Sequence, residues 1–282
     1  MKLSVMTLGC PEWNLETILK NARAYGYEGI DFRGVQDELD ITKSALFTTD
    51  LARTKRQIAD SGLAVSGIST SIQACNASSH QTNLDEAQRT IPLAIELGAK
   101  NIRIFGGGDP GKTPREELAR IGRDLIQTIL ALPGADQLSW NFETHDAWIK
   151  SADCALLLNT IANPAFGALW DMGHTARVGG ETPEQTYASI GERVRYVHCK
   201  DAARDPSAPA DNPEAGWKFV LPGTGQLPLE KALRLLAAKG YDGWVLFEHE
   251  KRWHPTLQEP ESAFPAFISW VKPILKAVEK SA

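Results

Sequence analysis

Strand-like and helix-like segments alternate eight times along this 282-residue chain. Each short apolar run is followed by a longer segment with the apolar spacing of an amphipathic helix. Such alternation predicts parallel strands joined by helical crossovers. Because one α/β barrel takes about 250 residues, the simplest fold is a (β/α)8 TIM barrel. The predicted strands are Leu3–Leu8, Gly29–Gly34, Leu63–Ile68, Asn101–Phe105, Leu138–Glu143, Phe166–Asp171, Val194–His198 and Gly243–Glu248.

The predicted helices occupy the segments between and after these strands. A weak internal repeat supports the alternation, because Gly26 and Gly240 each end a helix and are followed at once by a strand. No shift in composition marks a boundary, so we expect residues 1–282 to form a single domain. The predicted helices are Leu15–Ala22, Ser44–Asp60, Leu84–Leu97, Pro114–Leu130, Ala152–Ile161, Pro183–Ile190, Leu229–Ala238 and Ala263–Val278.

The composition narrows the classes of partner. A net charge of −5 gives no reason to expect nucleic acid, whose binders usually carry a basic face. The four cysteines have no CxxC spacing, which indicates reduced, buried thiols and predicts a cytoplasmic protein. No apolar run approaches the ~18 residues of a membrane span, and the start of the chain does not fit a signal peptide, so we expect a soluble, unprocessed protein.

Four predicted strands end on a possible metal ligand. Because active residues of α/β barrels lie at the carboxyl ends of the strands, we expect these four side chains to meet at one rim. Three carboxylates and one imidazole suit a divalent cation such as magnesium, manganese, cobalt or zinc. The four residues are Glu143, Asp171, His198 and Glu248.

Five short motifs extend this pattern. They are Glu143-Thr-His145-Asp146, Trp170-Asp171-Met-Gly-His174, His198-Cys-Lys200-Asp201-Ala-Ala-Arg204, Gly223-Thr-Gly225 and Gly240-Tyr-Asp-Gly-Trp-Val-Leu-Phe-Glu248. Together they resemble the xylose isomerase-like TIM barrel superfamily, and in particular its sugar isomerase and epimerase branch. The related DNA-repair endonucleases use a larger cluster of metals with extra histidines, whereas His80 is the only early histidine here. The acidic net charge also disfavours that branch.

The resemblance implies a role for each matching residue. Glu143, Asp171, His198 and Glu248 would bind one divalent metal, and Glu143 and Glu248 would also act as the acid/base pair. His174 and Arg204 would hold oxygens of the substrate. The chemistry is coherent on its own terms, since a cation stabilises the enediolate that forms when a proton leaves the carbon beside a carbonyl. Two carboxylates on opposite sides of the substrate can then remove and return that proton.

The expected function is therefore a metal-dependent isomerase or epimerase acting on a small sugar, keto-sugar or sugar phosphate. A lyase or dehydratase acting on an oxo-sugar or inosose is the alternative on the same scaffold. The expected partner is a small carbohydrate, with neither nucleic acid nor membrane, and a homo-oligomer is compatible with this interpretation. Residues 202–212, rich in alanine, proline and aspartate, are expected to cover the barrel mouth.

Two further features have competing interpretations. The segment Gly106–Thr113 fits the phosphate-loop pattern of nucleotide hydrolases, with Lys112 as its lysine. Thr113, Pro114 and Glu116 fit better as an N-cap, a first-turn proline and a capping-box acid of the next helix. Lys112 could still contact a phosphate of the substrate. Arg33 ends the second predicted strand and faces the rim, where an internal salt bridge is the usual fate of such a residue.

Overall fold

The computed structural model describes residues 1–207 and 216–279, and eight of its strands form a closed parallel barrel. The strands of the barrel are β1 (Lys2–Met6), β2 (Gly29–Phe32), β3 (Ala64–Gln73), β4 (Asn101–Phe105), β5 (Ser139–Glu143), β6 (Phe166–Asp171), β7 (Val194–Cys199) and β10 (Trp244–Phe247). Their order around the ring is β1-β10-β7-β6-β5-β4-β3-β2, and each neighbouring pair is parallel. The predicted (β/α)8 TIM barrel is confirmed.

Helices follow the strands and cover the outside of the ring. Helix α1 shows why such segments form here: the Asn14 side chain accepts a hydrogen bond from the Thr17 amide, and Gly26 ends the helix with a φ of 95°. The helices are α1 (Leu15–Tyr25), α2 (Leu51–Ser61), α3 (His80–Leu97), α4 (Arg115–Leu130), α5 (Ser151–Thr160), α6 (Met172–Arg177), α7 (Pro183–Ile190), α8 (Leu229–Ala238) and α9 (Pro260–Glu279). In the part of the chain that the structure describes, no helix is long and apolar enough to cross a membrane.

The barrel interior is packed rather than hollow. A small apolar cluster contributed mainly by β1, β6, β7 and β10 is separate from the main core, which lies between the strands and the helices. Leu246 of this cluster is in register with His198, and His198 with Asp171. Because residues in register on parallel strands point to the same face, both polar residues also face the interior. The cluster comprises Met6, Leu8, Leu169, Tyr196 and Leu246.

The structure adds elements that the apolar pattern did not predict. Strands β8 (Asp201–Arg204) and β9 (Trp217–Val220) form an antiparallel hairpin after β7, and the short helix α6 follows β6 directly. Residues 208–212 of the loop that was expected to cover the mouth lie outside the described residues. The four cysteines are free and buried, which confirms the prediction of unpaired thiols.

The start of the second helix was predicted wrongly. The helix expected over Ser44–Asp60 begins only at Leu51, and two 3-10 turns precede it. Asp40 and Ser44 accept hydrogen bonds from the amides of Thr42 and Leu46, and these local bonds stabilise separate short turns. Side chains that bond the backbone two residues ahead favour turns over a continuous helix.

Candidate active site

Four buried side chains converge at the carboxyl ends of neighbouring strands. Glu143, Asp171, His198 and Glu248 each offer a ligand atom, and these atoms all lie within 4.8 Å of one another. Glu143 and Asp171 are the last residues of β5 and β6, His198 lies in β7, and Glu248 directly follows β10. The structure thus brings together the four residues that the strand endings singled out.

Hydrogen bonds fix the orientation of the Asp171 carboxylate. Asp171 is the N-cap of α6, and its Oδ1 accepts a hydrogen bond of 2.7 Å from the His174 amide. Its own amide donates to Thr144 Oγ1 at 2.9 Å. One oxygen is therefore used in capping the helix, and Oδ2 is left for the centre of the cluster.

Several buried polar atoms of the cluster are incompletely satisfied by the described residues. Among the described residues, Glu143 Oε1, Asp171 Oδ2 and both ring nitrogens of His198 have no hydrogen bond of good geometry. His198 Nδ1 lies 3.3 Å from Glu143 Oε1 and 3.2 Å from Glu248 Oε1. Buried polar atoms without partners are costly, and a cation bound between such atoms removes that cost. The donor set therefore fits one divalent metal ion.

The electrostatics of the cluster reflect burial and close charges. The pKa of Asp171 is raised to about 6, because burial disfavours the carboxylate more than the Lys200 ammonium favours it. Burial lowers the pKa of His198, but the carboxylates of Glu248 and Glu143 outweigh this and raise it to about 10. Strongly shifted groups in one buried cluster are typical of functional sites.

Lys200 belongs to this cluster, although no role was predicted for it. Its ammonium lies 3.1 Å from Asp171 Oδ2, 2.6 Å from Glu248 Oε2 and 2.9 Å from Glu250 Oε1. Gly173 leaves room for it, since a Cβ there would lie 3.0 Å from Lys200 Cγ. Its position two residues after His198, on the same face of an extended chain, was the signal that could have identified it.

Arg103 was also not predicted from the sequence. Its side chain lies 3% exposed, with Nε 3.4 Å from Glu143 Oε2 and Nη1 donating to the Thr70 carbonyl at 2.8 Å. The guanidinium carbon lies 4.0 Å from the centre of the Phe105 ring. Arg103 thus contacts the carboxylate of Glu143 on the side of the barrel formed by β3 and β4.

The two residues assigned to substrate binding lie in different settings. His174 is buried, and its Nε2 lies 3.8 Å from Asp171 Oδ2 without a hydrogen bond to a described residue. Its ring meets that of His145 edge-on at 4.6 Å. Arg204 ends β8 on the exposed hairpin, with its guanidinium carbon 4.1 Å from the centre of the Trp217 ring. His174 therefore borders the cluster, whereas Arg204 lies apart from it in this structure.

The hairpin of β8 and β9 covers one side of the cluster. The Phe219 ring lies 5.6 Å from the Lys200 ammonium and 4.8 Å from the guanidinium carbon of Arg177. A cavity of about 330 Å³ adjoins this ring and is also lined by Lys218 and His254. The described part of the segment after β7 thus reaches the barrel mouth.

The Gly-rich loop after β4 has a packing role. A Cβ on Gly106 would lie 2.1 Å from Cδ1 of Trp148, and the Gly107 carbonyl accepts a hydrogen bond of 2.8 Å from Trp148 Nε1. Lys112 is 83% exposed and pairs with Asp109 at 3.0 Å. Lys112 also precedes the first residue of α4, so it does not occupy the first helical turn that a phosphate loop requires.

The predicted cap of α4 was wrong. The structure places Pro114 at the N-cap and Arg115 at the start of the helix, without a side-chain cap hydrogen bond. Proline at this position has no amide hydrogen to satisfy, and Glu116 and Glu117 in the first turn favour the helix through its dipole instead.

A family model of the xylose isomerase-like TIM barrel matches residues 19–274. The chain therefore belongs to the xylose isomerase-like TIM barrel family, and the resemblance seen in its motifs is confirmed.

Two curated relatives are similar over part of the chain. The rhizopine catabolism protein MocC of Rhizobium meliloti is 30% identical over 196 residues, which cover 62% of this chain and 57% of the relative. An inosose dehydratase of Clostridium botulinum is 27% identical over 99 residues, which cover 33% of this chain and 32% of the relative. The chain thus spans less than two thirds of the length of each.

Solved structures share the fold over almost the whole chain. The IOLI protein with a bound zinc atom has a TM-score of 0.79 at 18% identity, covering 99% of both chains. A D-tagatose 3-epimerase-like protein has a TM-score of 0.73 at 16% identity, covering 100% of both chains. At these identities the likeness establishes the fold alone.

Proposed function

We propose that this protein is a divalent-metal-dependent isomerase or epimerase of a small sugar, keto-sugar or sugar phosphate. The observation that carries the proposal is the buried cluster of Glu143, Asp171, His198 and Glu248, whose ligand atoms lie within 4.8 Å of one another. Membership of the xylose isomerase-like family and the epimerase name of one structural neighbour support the same class.

The four clustered side chains would hold one metal ion, and manganese, magnesium, cobalt and zinc all suit them. When bound, the ion would supply positive charge to stabilise negative charge that develops on substrate oxygens. The IOLI neighbour carries zinc, and a magnesium complex is known for another neighbour of the same fold, which supports a dication without selecting one.

Proton transfer is assigned to Glu143 and Glu248. Both are carboxylates at the edge of the cluster, and each lies within 3.3 Å of the His198 imidazole, which orients them. One would remove a proton from the carbon beside the substrate carbonyl, and the other would return it on the neighbouring carbon or the opposite face. His174, with its free Nε2 beside Asp171, and Arg204 on the covering hairpin would hold substrate hydroxyl or carbonyl oxygens.

A lyase or dehydratase of an oxo-sugar or inosose is the second candidate. Inosose dehydratases from several bacteria are among the relatives, and a structural neighbour is also named as a dehydratase. The same cluster serves this chemistry, since the first proton removal is shared. The difference comes afterwards, when a hydroxyl group leaves the β-carbon instead of a proton returning to carbon.

Turnover in deuterated water distinguishes the two reactions. An isomerase or epimerase returns a proton to carbon, so the product should carry deuterium at the carbon next to the carbonyl, as measured by NMR. The Glu143→Gln and Glu248→Gln variants should each lose turnover while retaining the fold, with metal content measured alongside. If the product is unsaturated and no isomeric sugar forms, the isomerase assignment fails and the dehydratase is the better assignment.

A further inference from the structure

Arg33 is a buried cation without an acidic partner. It directly follows β2 at the carboxyl end of the barrel and is 7% exposed. Among the described residues its guanidinium has one hydrogen bond, of 3.5 Å, to the Ser69 carbonyl, and no carboxylate lies within 4.0 Å. The salt bridge expected for Arg33 from the sequence is therefore absent from the described residues.

A second arginine lies beside it. Arg103 is 3% exposed and is the principal charged neighbour of Arg33, whose pKa is lowered to about 9 first by burial and then by this like charge. Within 4.0 Å of Arg103, the described carboxylate is that of Glu143, at 3.4 Å from Nε, and that contact lacks hydrogen-bond geometry. The acid beside Arg103 thus already belongs to the proposed metal cluster, and Arg33 has no described carboxylate at this distance.

The other acids close to Arg33 have different partners. Glu86 Oε1 accepts a hydrogen bond of 2.8 Å from the Ser71 amide. Asp40 pairs with Arg89 at 2.9 Å and with Lys43 at 3.2 Å. Because a buried charge without a close counter-charge is costly, the fold tolerates Arg33 beside a second guanidinium group only where another group compensates it.

We propose that Arg33 and Arg103 bind the oxyanion of an acidic substrate, a carboxylate or a phosphate, at the β2–β4 side of the barrel mouth. The planar guanidinium matches both groups through paired N–H donors. The contact of Arg103 with Glu143 joins this subsite to the acid assigned to proton transfer. The inference rests on the proposed function in one respect, namely that the same mouth receives the substrate.

Anion binding by the metal-free protein tests this subsite directly. After chelation, the full-length protein is titrated calorimetrically with glycolate, inorganic phosphate and the neutral analogue ethylene glycol. We expect saturable binding of at least one anion, no binding of ethylene glycol, and at least tenfold weaker binding in Arg33→Gln. The tighter of the two anions identifies the substrate group as a carboxylate or a phosphate.

The matched control is Arg234→Gln, which removes an arginine already paired with Glu230 on α8 and should leave the anion affinity unchanged. If Arg33→Gln does not fold, Arg33→Lys decides the question, because lysine keeps the charge but not the paired donors and should bind at least threefold more weakly. Unchanged affinity in the folded Arg33 variant, or no saturable anion binding by the native protein, would overturn the proposal. Metal is absent throughout, so failure of the proposed metal chemistry would not affect the result.

Discussion

Two buried aspartates at the carboxyl side of the barrel, Asp171 and Asp201, differ in how their carboxylates are satisfied. Asp171 uses one oxygen to cap α6, and the other has no hydrogen bond of good geometry to a described residue. Both oxygens of Asp201 accept backbone amides, and burial raises its pKa as it does for Asp171. The donors to Asp201 are the amides of Ala202, Gly223, Gly225 and Leu227.

The difference separates a structural acid from a candidate ligand. Asp201 holds the loop at residues 223–227 against β8, and Gly225 is required there because a Cβ would lie 2.2 Å from Asp201 Oδ1. The other oxygen of Asp171 lies 3.1 Å from the Lys200 ammonium without a hydrogen bond of good geometry, so it is still available to a metal ion. The direction of the pKa shift is the same for both, so the hydrogen-bond inventory, rather than the pKa, distinguishes them.

The largest expected effect is that of Asp171→Asn on activity. Loss of one carboxylate removes a ligand, and with it several kcal/mol of transition-state stabilisation, so turnover should fall by roughly 10³-fold. Metal content by elemental analysis should fall in parallel. The control is Asp124→Asn, which changes a surface acid paired with Arg123 and should retain native turnover and metal content. Full metal content and turnover in Asp171→Asn would show that the cluster is not the metal site.

Chelation should lower the thermal stability of the native protein. Three carboxylates close together repel one another, and a metal present at 100 times its Kd stabilises the fold by about 2.7 kcal/mol. For a chain of this size that corresponds to a drop in Tm of roughly 5–10 °C on exhaustive chelation. Asp171→Asn should show little shift between the chelated and metal-supplied states. Equal shifts in both proteins would place the stabilising ion elsewhere.

Asp201→Asn should affect stability rather than the metal. The amide replaces one acceptor oxygen by an N–H₂ donor that faces backbone amides, which should cost about 1–3 kcal/mol in the free energy of unfolding. Urea denaturation measures this change, and metal content should stay at the native level. If metal content fell while the free energy of unfolding stayed constant, Asp201 would be a metal ligand rather than a structural acid.

Lys112→Ala should have the smallest effect. Its ammonium is exposed and, among the described residues, pairs with the exposed Asp109, so the free energy of unfolding should change by less than about 0.5 kcal/mol. Calorimetry with ATP and magnesium should detect no binding to either protein. Tight ATP binding that disappears in the variant would instead establish a nucleotide site in the loop. If the variant shows only a weaker turnover of phosphorylated substrates, Lys112 contacts the phosphate group of a sugar phosphate.

The sequence predicted the barrel and its four converging ligands because both depend on strand order. Each strand is a short apolar run with a clear end, and in a parallel barrel the ends determine which side chains meet. Glu143, Asp171, His198 and Glu248 therefore followed from position alone. The hairpin of β8 and β9 was missed because β8 and β9 have only four residues each and β9 is partly exposed.

The contacts of Lys200 and Arg103 could not be predicted in the same way. The spacing from His198 places Lys200 on the same face as the cluster, but the partners of both charged residues lie on strands that are distant in sequence. The cap of α4 was wrong for a related reason, since Thr113, Pro114 and Glu116 fit a local capping pattern, yet the helix begins at Arg115 without a side-chain cap hydrogen bond. Local patterns specify elements, and tertiary contacts determine their boundaries.

The four candidate ligands come from consecutive neighbours in the ring, the strands β5, β6, β7 and β10, and none comes from β1–β4. A bound ion would therefore cross-link β5, β6, β7 and β10 to one another without contacting β1–β4. Native-state hydrogen exchange reports the free energy of opening of each such unit separately. Adding metal should slow exchange of the amides in β5, β6, β7 and β10 more than of those in β1–β4, which makes the ligand-bearing half the last part of the ring to open.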